Sequence, residues 1–80
     1  MIDIVATLAG FIATVILRDP DWIITPTEPL ISSGLVDSFS LVELALFVED
    51  EYGIRIADTE LNADTIDTLQ AIEQLIKTRR

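Results

Sequence analysis

The side chains with chemistry to offer are fourteen carboxylates and four serines, because this 80-residue chain contains neither Cys nor His. Disulfides, thiolate nucleophiles, Ser-His-Asp and Cys-His arrangements, and zinc sites built on sulfur or imidazole are thereby excluded. Carboxylates alone can hold a hard cation or move a proton, but only where several converge. Glu49, Asp50 and Glu51 are consecutive in a segment of helical period, which splays them around the axis. Asp19 and Asp21 flank Pro20 without the alternating ligands and central glycine of a calcium loop. With no base partner and no glycine-rich phosphate loop, neither a catalytic nor a metal site is expected, and the chain reads as no enzyme.

Among the serines, Ser38 has the most informative surroundings. It follows Asp37 and the turn Ser33-Gly34-Leu35-Val36, at the N-terminal edge of a helical segment that holds it on the surface. By position alone it is an ordinary first-turn serine. The segment after it carries two apolar stripes. Leu41, Leu44, Ala45, Val48 and Tyr52 make one buried face, while Phe39, Val42 and Leu46 make a second, interleaved with Glu43, Glu49 and Asp50. Two stripes mean either a central helix or an exposed docking patch. A patch rimmed by acids suits a partner whose apolar sockets are ringed by Arg and Lys.

The elements that must position this segment also read as helical. Asp3, Thr7, Gly10, Thr14 and Arg18 form a narrow polar stripe, predicting a helix over Ile4–Leu17 that Pro20 stops. That apolar run is shorter than the roughly 20 residues of a membrane span. It also lacks the basic leader of an export signal, so the expected compartment is the cytoplasm. Its two apolar faces need a cover. The expectation is that the connection 19–37 folds back with Trp22, Ile23 and Ile24 across it, leaving Trp22 water-shielded and the chain a monomer. For the second helix, Asp37 with a Val36/Leu41 staple and Ser40 with Glu43 and a Phe39/Leu44 staple are alternative starts. Gly53 is its left-handed end. A short helical turn is expected around Asp58–Asn62. Asp67 with Gln70 is predicted to open a last helix, with Leu69, Ile72, Leu75 and Ile76 inward and Lys77, Arg79 and Arg80 at its end. The whole stretch 1–80 reads as one all-α domain: three main helices, one short helix and a long first loop.

Composition narrows the function further. Half of the residues are apolar, enough for a small core, and the formal net charge is −9. Such a surface repels phosphate backbones and anionic headgroups, so nucleic acid is not an expected partner and basic proteins are.

Gly34-Leu35-Val36-Asp37-Ser38-Phe39, followed by Ser40-Leu41-Val42-Glu43-Leu44, resembles the phosphopantetheine attachment region of acyl and peptidyl carrier proteins. The resemblance continues through Phe47-Val48-Glu49-Asp50-Glu51-Tyr52-Gly53-Ile54-Arg55-Ile56 and Asp58-Thr59-Glu60-Leu61 to Thr68-Leu69, covering the chain from Leu30 onward. Phe39 stands where the family usually has Leu or Met, Ala57 where a Pro commonly precedes the short helix, and the first helix is more apolar than is typical.

The resemblance implies a small acyl-carrier-like four-helix bundle, with 4′-phosphopantetheine from coenzyme A attached to Ser38. It implies a phosphopantetheinyl transferase as partner, with magnesium supplied there and Asp37 helping to organise the encounter. The arm's thiol would carry an acyl or aminoacyl group as a thioester, which explains thiol chemistry in a chain without Cys. Further partners implied are acyl- or aminoacyl-activating ligases and downstream synthases or transferases with basic docking surfaces. They would meet Phe39, Val42, Glu43, Leu46, Glu49 and Asp50. The cargo class stays open among fatty-acid, polyketide, aminoacyl and peptide carriers, with the Pro29–Ser40 wording closer to stand-alone carriers of secondary or amino-acid pathways. The rival from another class is an unmodified helical interaction module docking through Phe39, Val42 and Leu46.

Overall fold

The computed structural model describes residues 3–79. Helix α1, Ile4–Phe11, starts at Asp3, whose Oδ1 accepts the Val5 N–H at 3.0 Å and so satisfies one of the helix's unpaired first-turn donors. It runs on without a break into a π-helical turn, Ile12–Ile16, in which the Leu17 N–H reaches back five residues to the Ile12 carbonyl at 2.8 Å. The helix ends before Pro20 rather than at it. Arg18 adopts a left-handed φ of 56°, and the Asp19 N–H closes the end on the Ala13 carbonyl at 2.8 Å.

Helix α2, Ser38–Tyr52, is the longest element. Of its two possible starts the structure selects Asp37, which is extended and accepts the Ser40 N–H. Val36 and Leu41, in the staple positions on either side, are both buried. Gly53 ends α2 in the left-handed conformation, φ 69°, with its N–H on the Glu49 carbonyl. Ile54 and Ile56 re-enter the core, and a 3₁₀ turn follows at Asp58–Glu60. A separate short helix, α3 (Ala63–Ile66), is capped by Asn62, whose Oδ1 accepts the Asp64 N–H at 3.0 Å.

The last helix, α4, spans Leu69–Arg79. Its cap is Thr68 rather than Asp67, for Thr68 Oγ1 accepts the Ala71 N–H at 3.0 Å. Asp67 cannot serve, because its own dihedrals are helical (φ −74°, ψ −18°) where a cap must be extended. Arg79 closes the end of α4 against the 3₁₀ turn. It pairs with both carboxylate oxygens of Glu60 and donates to the Arg55 carbonyl at 3.1 Å.

The core is aliphatic. Leu8, Ile12, Leu30, Leu44, Val48, Ile66, Leu69, Ile72 and Ile76 are all buried, and among the described residues no polar side chain is. Helix α1 packs on α4, and the Phe11 ring stacks on Phe47 of α2 with centroids 4.1 Å apart. The first connection is pinned, and of the three residues expected to do so only Ile24 does. Ile24, Leu30 and Val36 are buried, whereas Trp22 is 44% exposed and Ile23 84%. Trp22 is therefore not the water-shielded side chain expected. The first helix buries Ile4, Leu8, Ile12 and Ala13 and leaves Ala6 and Val15 in solvent. One rotated stripe takes the place of two separate faces.

Candidate functional site

The turn that delivers Ser38 is built from the core outward. Leu30 and Val36 are sunk to 1% exposure, and between them the Val36 N–H donates to the Leu30 carbonyl at 2.9 Å. The Gly34 N–H donates to the Ile31 carbonyl at 3.0 Å, with Gly34 at φ 81°, a left-handed step that favours glycine. The chain leaves this turn extended at Asp37, φ −91° and ψ 178°, and begins α2 at Ser38.

Asp37 Oδ1 accepts the Ser40 N–H at 2.8 Å. The N–H and hydroxyl of Ser40 together hold the Asp37 carboxyl below its ordinary value. The site thus keeps a carboxylate at the N-terminal end of a fifteen-residue helix, where its charge is favoured.

The four serines differ in what their hydroxyls do. Ser32 Oγ donates to Asp67 at 2.7 Å, and Ser33 Oγ donates to the Pro29 carbonyl at 2.6 Å. Ser40 is half-buried, and its backbone N–H is bonded to Asp37. Ser38 occupies the first helical position with its side chain exposed. Its hydroxyl cannot act as a nucleophile unaided. The sequence has no imidazole to take its proton, and the adjacent carboxylate is bonded to the Ser40 N–H.

Below Ser38, α2 turns its second stripe outward. Phe39 is 85% exposed, Val42 51% and Leu46 60%, which decides between a central helix and an open patch. Glu43, Glu49 and Asp50 are exposed as well. At 100° per residue these six side chains occupy an arc of about 120° on one side of the helix. Leu46, Phe47, Glu49 and Asp50 line a shallow depression at the lower end of that arc. Every residue singled out from the sequence therefore lies on the surface of one helix or on its cap. Among the described residues, no group of three or more carboxylates converges as a metal site would require, and no helix is long and apolar enough to cross a membrane.

Two features escaped the sequence reading. One is the Phe11–Phe47 stack, which braces α2 from behind. The other is Asp67, whose carboxylate reaches back to accept hydrogen bonds from Ile31 and Ser32. The only local signal for the second was an Asp next to a better-placed Thr at a helix start.

Comparison with known proteins fits this geometry. A family profile described as a phosphopantetheine attachment site matches residues 5–76. The meromycolate extension acyl carrier proteins of Mycolicibacterium aurum and Mycolicibacterium smegmatis are 32% identical over 77 residues, which is 90% of this chain and 78% and 77% of theirs. A D-alanyl carrier protein of Bacillus pumilus is 41% identical over 51 residues, 62% of this chain and 65% of its own.

Proposed function

The chain belongs to the acyl and peptidyl carrier protein family, and on that premise we propose that Ser38 is the residue to which its 4′-phosphopantetheine arm is attached. A member of this family is a carrier and not an enzyme: it holds a group as a thioester and offers it to biosynthetic partners. What supports Ser38 is its hydroxyl, exposed at the first position of α2, while Ser32 and Ser33 have theirs engaged and Ser40 is half-buried.

The surroundings fit the group. No side chain roofs the serine, and a phosphodiester there would sit at the positive end of the α2 dipole. In the loading step the Ser38 oxygen forms a bond to the phosphorus that carries the pantetheine, the pyrophosphate bond of coenzyme A breaks, and the nucleotide leaves with its phosphate. The serine proton passes to a base on the transferase. When bound, the arm supplies the thiol that this Cys-free chain lacks.

Asp37 keeps Ser38 at the helix start and adds a negative charge that a metal-bearing transferase can meet. Phe39, Val42, Glu43, Leu46, Glu49 and Asp50 form the face on which that transferase, an acyl- or aminoacyl-activating ligase and downstream synthases dock in turn. The stretch 1–80 acts as one monomeric carrier unit in the cytoplasm, where coenzyme A and such ligases are found, and its cargo is an acyl or aminoacyl group.

Intact mass after incubation with coenzyme A and a broad-specificity transferase tests the reading. The wild type should gain the mass of one arm and Ser38→Ala none, with its helical signal retained. Peptide mapping that placed the arm on Ser40, or a wild type that gained nothing, would overturn it and leave a plain docking module.

A further inference from the structure

One carboxylate ties the first connection to the far end of the chain. Asp67 lies between α3 and α4. Its Oδ1 accepts the N–H of Ile31 at 2.7 Å and that of Ser32 at 2.9 Å, and its Oδ2 accepts the Ser32 hydroxyl at 2.7 Å. Its carbonyl oxygen accepts the Leu30 N–H at 2.6 Å. Three consecutive residues of the loop are thus bonded to one residue more than thirty positions away. A second tie runs alongside, from the Gln70 N–H to the Pro26 carbonyl at 3.0 Å.

The three bonds to the carboxylate are charge-assisted, the stronger class of hydrogen bond. They pull the Asp67 carboxyl below its ordinary value, the Ser32 hydroxyl contributing most. The clamped triplet in turn carries the turn described above, for Leu30 and Ile31 supply the carbonyls that receive the Val36 and Gly34 N–H groups. Asp37 and Ser38 follow directly. Leu30 is anchored by burial as well, but Ser32 is exposed and Ile31 only half-buried, so burial does not hold these two. The clamp does.

We propose that Asp67 is a positioning residue for the attachment serine: by clamping Leu30–Ser32 to the α3–α4 junction it fixes the turn that presents Ser38 to the transferase. The inference rests on Ser38 being the attachment site. Release of the clamp lets the turn sample other conformations, and the transferase then meets a fraction of competent molecules. The apparent affinity for the carrier falls by that fraction.

Asp67→Asn and Asp67→Ala separate this role from charge. Both remove the same unit charge, so both alter electrostatic steering alike. Asparagine keeps a carbonyl oxygen for the two backbone N–H groups and an amide that can donate to Ser32 Oγ; alanine keeps neither. Transferase-catalysed loading from coenzyme A, followed by intact mass, gives KM and kcat for the apo chain, and amide hydrogen exchange reads Ile31 and Ser32 directly. Asp67→Ala should lose about tenfold in kcat/KM relative to Asp67→Asn, chiefly through KM, with fast exchange at Ile31 and Ser32. Asp67→Asn should stay within about twofold of wild type, the loss of one steering charge. Ile72→Val, a core change of comparable destabilisation that leaves the clamp alone, should load normally.

Equal loading by the two Asp67 variants would overturn the proposal, as would slow loading by Ile72→Val. A wild type that gains no arm, or a Ser38→Ala chain that does, withdraws the site assignment and this inference together. Failure of the Asp67 comparison alone leaves the site assignment standing.

Discussion

At the scale of single residues, three of the carboxylates that bear on the fold through hydrogen bonds are made more acidic by them. Asp37 caps α2, Glu60 is held by Arg79 and the Ala57 N–H, and Asp67 clamps the first loop; all three are more acidic than their ordinary values of 3.8 for Asp and 4.5 for Glu. The folded chain therefore binds fewer protons than the unfolded chain. Stability from these groups is complete above the unfolded values and is lost as pH falls through the lowered folded ones. Denaturant midpoints should hold down to about pH 5 and drop by about pH 3, with Glu60→Gln and Asp67→Asn each flattening the drop. A midpoint that rises on acidification below that point would refute the assignment. Arg79, whose value is raised by Glu60, stays charged throughout, so the pair is lost through the carboxylate. For Asp37 the cap is the testable part. Asp37→Ala should lower the melting temperature, whereas Asp37→Asn, an equally good cap, should not. Equal losses would mean that charge and not the cap bond is what α2 needs.

At the scale of elements, α2 was the most legible part of the sequence and the ends of the other helices the least. Leu41, Leu44 and Val48 are buried as their spacing predicts, and Gly53 ends the helix as a left-handed glycine should. No neighbouring atom would meet a Cβ at Gly53, so the cost of Gly53→Ala is the left-handed backbone alone. It should destabilise by about 1–2 kcal/mol, and Gly53→Asn by clearly less; chemical denaturation distinguishes them, and an equal cost would point to a hidden steric contact. The start of α4 shows why helix ends were harder to read. Asp67 and Thr68 are both acceptable caps by residue type, and what decides between them is the pull of Ile31 and Ser32 on Asp67, a contact with no local trace. Helix α1 is similar. Its period was visible, but the π turn at Ile12–Ile16 and the left-handed Arg18 that end it before Pro20 have no signal in residue type. The candidate site was legible for a physical reason: its residues are local in sequence, all on one cap and one helix. The clamp behind it was not, because it joins segments that only folding brings together. Trp22 lies between these cases. An apolar loop had to be pinned somewhere, and of the expected Trp22, Ile23 and Ile24 only Ile24 is a pin, beside Leu30 and Val36. Half-exposed as it is, Trp22→Ala should cost only about 1 kcal/mol, and a strongly blue-shifted Trp emission would contradict the exposure.

At the scale of the whole molecule, charge sets two properties that respond to salt in opposite directions. The net charge is −9, and residues 37–67 hold nine of the fourteen acids (Asp37, Glu43, Glu49, Asp50, Glu51, Asp58, Glu60, Asp64 and Asp67) against one base, Arg55. That leaves −8 on this stretch and −1 on all the rest. The radius of gyration is 11.3 Å, comparable with the screening length of about 10 Å at 0.1 M salt. At low salt the acids therefore repel one another across the fold, and at high salt only near neighbours do. Two like charges about 10 Å apart in water repel by about 0.4 kcal/mol, small for one pair but cumulative over a surface with so few cations. Added salt should raise the melting temperature by relieving this repulsion. The same salt should weaken docking of a basic transferase on α2, where attraction to Glu43, Glu49 and Asp50 steers the encounter and the Phe39, Val42 and Leu46 contacts persist. Charge reversal at Glu43 should flatten both dependences at once, steepening neither, because one set of charges causes both. Melting and binding can be followed in one titration from about 10 mM to 1 M sodium chloride. If stability and affinity moved the same way, or if Glu43→Lys altered one slope and left the other untouched, the acidic face would not be the common cause.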